Sequence, residues 1–62
     1  MLVVDFFLKE GKTEYLQIHY DNATNLYWAV VKSKSDGLIW FMTPLTSDYE
    51  ESVRLARGIN LN

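Results

Sequence analysis

Cysteine is absent from this 62-residue chain, so no disulfide framework or thiolate metal site staples it, although scaffolds this small often depend on one. Proline occurs once and glycine 3 times, each where an element should end. The chain therefore carries no linker, repeat or low-complexity segment. No apolar run reaches the roughly 20 residues of a membrane-crossing helix, and the first residues offer neither a basic region nor a cleavage site. Together with the missing cysteines, this leads to the expectation of a cytoplasmic protein with no membrane partner. Asn22-Ala23-Thr24 matches a glycosylation acceptor, a chance match in a chain without an export signal.

Chemistry is scarce as well. A Ser-based nucleophile needs a positioned base, and His19 is the sole histidine. Gly11, Gly37 and Gly58 are too far apart to cradle a phosphate. A metal site from His19, Asp21 and Asp5 would need three residues to converge without ligand spacing. The expectation is no enzyme, no cofactor and no metal.

What is present is apolar: 48% of residues are hydrophobic and 15% aromatic, too many for a disordered segment. Residues 1–62 leave room for one domain, which buries only roughly 60% of its unfolded surface. Leu2, Val4, Phe6 and Leu8 alternate at period two, predicting a strand over residues 2–8. Lys9-Glu10-Gly11 reads as a three-residue turn with glycine at positive φ. Strands over 13–20 and 26–33 follow, separated by the turn-forming cluster Asp21 to Asn25. Ser35-Asp36-Gly37 introduces a fourth strand over 38–43, with the three-residue register preferred to a two-residue turn that would invert its faces.

Pro44 ends that strand, and Ser47 with Glu50 forms a capping-box pattern for a helix over 47–57. Tyr49, Val53 and Ala56 share its apolar stripe, broadened by Leu55 and Ile59. Glu50 and Arg54 have pairing spacing, and Gly58 stops the helix. The predicted fold is α+β: a four-stranded antiparallel β-meander followed by one C-terminal α-helix, ββββα.

In the expected register, Leu16, Ile18, Tyr20, Leu26, Trp28 and Val30 share the core face with Val4 and Phe6. The other face then carries Phe7, Tyr15, Tyr27 and Phe41 as an aromatic partner-binding surface. Four strands about 4.8 Å apart make a sheet wider than one helix of about 10–12 Å, so part of the sheet is left for another molecule. Trp28 and Trp40 are read as core filling rather than base-stacking platforms. A second candidate surface is the acidic group Asp21, Asp48, Glu50 and Glu51. Lys9, Lys12, Lys32 and Lys34 gather at the end holding the first and third turns, as a solvated rim interrupted by Glu10, Glu14 and Asp36.

Four strands followed by one helix resemble the single-stranded-DNA-binding domain of the coactivator family of positive cofactor four, which implies a nucleic-acid-binding homodimer. This chain departs from that family in its net charge of −2 and its lack of a lysine ridge, so no functional residue carries over. The leading expectation is a small protein-interaction module of phage or mobile-element type. It would inhibit a larger host protein, such as a defence nuclease, by covering a functional surface. The expected partner is a protein, with a homodimer included and nucleic acid ranked behind.

Overall fold

Alternation and turn chemistry produce the elements in the predicted order: β1 (Val3–Glu10), β2 (Glu14–Asp21), β3 (Leu26–Ser33), β4 (Ile39–Met42) and α1 (Tyr49–Arg57). The structure is a computed structural model describing residues 3–62, with Val3 through its backbone only. The expectation for Leu2 lies outside the described residues. The strands form one antiparallel sheet in the order β1-β2-β3-β4, a meander closed by α1.

The first hairpin keeps the expected parity. Val4 lies opposite Tyr20 and Phe6 opposite Ile18. Its turn is displaced, however: Lys9 and Glu10 belong to β1, and the register shifts between Phe7 and Lys9, leaving Leu8 as a bulge. Gly11 does not take positive φ, which among glycines occurs only at Gly37, at 72°. Gly11 is required for closeness instead. A Cβ there would collide with the Asn62 carbonyl, because the chain after α1 lies across this hairpin. Thr13 N–H donates to Asn62 O at 2.9 Å, Asn62 N–H to Glu14 Oε1 at 2.9 Å, and Lys9 Nζ to Ile59 O at 3.0 Å.

The second turn overturns the expected facing of β3. Asp21 extends β2 to pair with Leu26, leaving residues 22–25 as the loop where a five-residue turn from Asp21 had been expected. The loop is fixed locally. Asp21 Oδ1 accepts from Ala23 N–H at 2.9 Å, Asn25 N–H donates to Asp21 O at 2.8 Å, and Asn25 adopts φ 58°. One residue of slip inverts every side chain of a strand. Leu16 therefore faces with Val31, Ile18 with Ala29 and Tyr20 with Tyr27, while Trp28 and Val30 lie with His19 and Gln17 on the face away from the core.

The helix explains why this register packs. Ser52 and Ala56, one turn apart on α1, are 0% exposed, and Ala56 shares the core cluster with Leu16, Ile18, Ala29 and Val31. Small residues let the helix approach the sheet closely. Trp28 in place of Ala29 would hold it off. Leu8, Tyr27, Val53, Ile59 and Leu61 pack around the cluster.

The helix starts two residues later than predicted. Asp48, not Ser47, is the N-cap, accepting from Glu50 N–H at 3.0 Å, and the Asp48 amide donates to Thr46 Oγ1 at 3.1 Å. Arg54 pairs with Glu51 rather than Glu50, and this contact holds the Glu51 carboxyl below its ordinary pKa and the Arg54 guanidinium above its own. Gly58 ends the helix as expected, with φ −79°.

Candidate protein-binding surface

The last strand is short because its pairing with β3 is interrupted twice. Val30 lies opposite Met42 and Val31 opposite Phe41, the preferred three-residue register, but the register then shifts at Trp40 so that Lys32 meets Ile39. Beyond Met42 the contact resumes irregularly. Ala29 N–H donates to Thr43 Oγ1 at 2.8 Å, Thr43 N–H to Ala29 O at 3.0 Å, and Tyr27 and Thr46 exchange both backbone bonds across an isolated bridge.

No element of the described residues lies beyond β4, and α1 approaches only the two central strands. The result is a strand apolar and exposed throughout: Leu38, Ile39, Trp40, Phe41 and Met42 are 45–65% exposed, and Leu45 is 56% exposed. Such contiguity makes β4 a candidate interaction surface, unlike the singly scattered apolar residues found on any protein. On the helix side an open cleft of about 360 Å³ runs between Trp40, Phe41, Val31 and the segment Gly58–Asn62. Across the helix a wider groove of about 690 Å³ is floored by Leu8 and lined by Tyr49, Val53, Arg54 and Arg57.

The four aromatic residues expected on one face are divided between two. Phe7 and Tyr15 lie on the open face; Tyr27 and Phe41 lie on the helix face. Tyr27 packs edge-on against Tyr49 of α1, ring centroids 5.5 Å apart, and stacks against Tyr20 at 4.6 Å. Phe7 is 64% exposed on β1, at the opposite end of the sheet from Phe41. Trp40, expected in the core, is 63% exposed, and Phe6 is 47% exposed although it faces the helix side.

The acidic group is likewise divided. Asp21 is 8% exposed and committed to its turn, Asp48 caps the helix and Glu51 holds Arg54; the Glu50 side chain is exposed. The lysines do gather around the first and third turns, where Lys34 N–H donates to Thr13 O. Lys34 Nζ pairs with Glu10 at 2.6 Å and Lys9 is bonded to Ile59, so two of the four are engaged within the chain.

On the open face, Val30 is 0% exposed without any covering element, sheltered by its own neighbours in the sheet. His19 is nearly buried there. Its Nε2 lies 3.1 Å from Gln17 Oε1 and 3.3 Å from Asp5 Oδ1, and its ring stands 5.7 Å from that of Trp28. Burial pushes the imidazole below its ordinary pKa, against the opposing pull of Asp5 and with help from Lys32. Among the described residues no cluster of three or more His, Asp or Glu could hold a metal ion, and no helix is long and apolar enough to cross a membrane.

Sequence reasoning named Phe41 but missed the continuous β4 surface around it, reading Trp40 as core filling. A signal was present: no residue from Gly37 to Ser47 is charged. No family model, curated protein or solved structure matches this chain.

Proposed function

We propose that this protein is a non-enzymatic interaction module that binds another polypeptide along β4, acting by occupying a surface of a larger protein. The observation that carries the reading is the continuous exposure of Leu38 to Met42 on an uncovered sheet edge. Trp40 and Phe41 supply the large, rigid aromatic area that dominates binding hot spots. The cleft beside them gives a partner side chain somewhere to insert. Unpaired backbone groups on the strand add the directional bonds of strand addition.

Inhibition of a host protein by a phage or mobile-element product is the biological setting proposed for this module. Its support is the net charge of −2 together with the exposed aromatic residues of β4. Engagement of Lys9 and Lys34 within the chain favours a protein partner over a phosphate backbone.

The test uses immobilised wild-type protein, Phe41→Lys and Glu50→Lys as baits in extract of the source cell, with captured proteins purified and their affinities measured. Binding retained by Glu50→Lys and weakened at least tenfold by Phe41→Lys is the expected result. Capture that depends on Glu50 and ignores Phe41 would move the site to the helix start. Tight, salt-sensitive oligonucleotide binding with no protein partner would replace the reading altogether.

A further inference from the structure

We propose that a second copy of this chain docks on β4, edge to edge and antiparallel, joining two four-stranded sheets into one across a two-fold axis. The proposal rests on the reading of β4 as a binding edge and names its first occupant. Thr43 N–H is spent on Ala29 at the inner side. Because successive residues of an antiparallel strand turn their N–H and C=O groups to opposite sides, those of Met42 point outward. Pro44 has no N–H and ends the run available for pairing.

Charge is the first reason for choosing a second copy. A strand that pairs with itself about a two-fold axis sets the residues nearest the axis against their own copies, so a charged residue there would meet like charge. Gly37 to Ser47 contains none, whereas β1, the opposite edge, carries Asp5, Lys9 and Glu10. Edge strands that must stay single are guarded by such charges. The β1 edge has that protection together with its bulge at Leu8; β4 is short, with the irregularity at Trp40 and the terminating Pro44, but carries no charge.

Area is the second reason. Aromatic side chains present about 150–250 Å² each when fully exposed, so the half-exposed set from Leu38 to Met42 with Leu45 offers on the order of 600 Å² per copy. That figure already includes the strand backbone and is an upper limit on what edge pairing covers, of the same order as the roughly 800 Å² per partner of a stable interface. The chain also has reason to use it. Its largest fully buried side chains are Leu16, Ile18, Val30 and Ser52, a slender core with no disulfide to support it.

Sedimentation velocity on the full chain from low to high micromolar concentration tests the proposal. The expected species has twice the 7.2 kDa chain mass. Phe41→Lys and Met42→Pro should shift it to the monomer, with circular dichroism unchanged, while Phe7→Lys should leave the dimer intact. Since these variants could also fail to fold, the cysteine-free chain permits a second measurement. Single substitutions Leu38→Cys, Trp40→Cys and Met42→Cys, oxidised in turn, should yield an intermolecular disulfide from at least one position, and Phe7→Cys should yield none.

A wild-type monomer at high micromolar concentration, or crosslinking through Phe7→Cys without any through β4, overturns the dimer. If that monomer still captures another protein in a Phe41-dependent manner, the interaction reading survives while the dimer falls. A dimer that captures nothing else leaves the dimer standing and removes the inhibitor reading.

Discussion

His19 and Gly11 show how much a single position carries once its neighbours are known. The imidazole has its pKa lowered by burial, so between that value and its ordinary 6.5 the unfolded chain binds more protons than the folded one. Stability therefore rises with pH across this window and is lost on acidification below about 6.5. Thermal melts of wild type and His19→Gln from neutral to mildly acid pH should show the loss in wild type and a flatter profile in the variant. Gly11 has no room for a Cβ beneath Asn62. Gly11→Ala should cost about 1–3 kcal/mol through overpacking. In a chain shortened by residues 60–62 the same substitution should cost almost nothing, and a double-mutant cycle by urea unfolding reads the difference.

At the scale of elements, the helix start separates two side chains that the sequence leaves as rivals. Asp48→Ala should cost about 1 kcal/mol because Glu50 N–H loses its acceptor, whereas Ser47→Ala should lie within about 0.5 kcal/mol of wild type. Chemical denaturation distinguishes them. The Glu51–Arg54 pair is exposed, and its removal should hardly register. Ser52 is the more sensitive position on α1. It is 0% exposed and its hydroxyl bonds the Tyr49 carbonyl, so Ser52→Ala keeps the close approach of helix and sheet. Ser52→Leu should force the two apart, with a loss of about 1–3 kcal/mol seen in the same denaturation series.

The whole molecule is a sheet wider than the helix that covers it, which is why Phe6 on one edge and Phe41 on the other remain half exposed on the helix side. Its charge is divided as well, with lysines around two turns and carboxylates at the helix start. A single-stranded oligonucleotide should bind weakly if at all in fluorescence anisotropy at physiological salt, because Lys9 and Lys34 already have partners within the chain. Tight binding lost at higher salt would favour the coactivator-like alternative and its homodimer.

The sequence by itself determined the number, type and order of the elements. Period-two alternation, turn residues at Gly11, Asp21 to Asn25 and Asp36-Gly37, the stop at Pro44 and the stripe from Val53 to Ala56 all act within a few residues of one another. It also determined the parity of the first hairpin and the preferred register of Met42 and Phe41 against β3. Only the tertiary structure decided which face each strand shows after the second turn. Asp21 serves either as the first turn residue or as the last strand residue with similar local bonds, yet that choice inverts all of β3. Helix packing discriminates, since Ala56 packs in one cluster with Ala29 and a tryptophan in that place would hold the helix off. The same limit hid the β4 edge. Trp40 read as core filling while Phe41 read as surface, yet the whole run from Leu38 to Met42 is exposed, because the helix stands over β2 and β3 and nothing in the described chain reaches further.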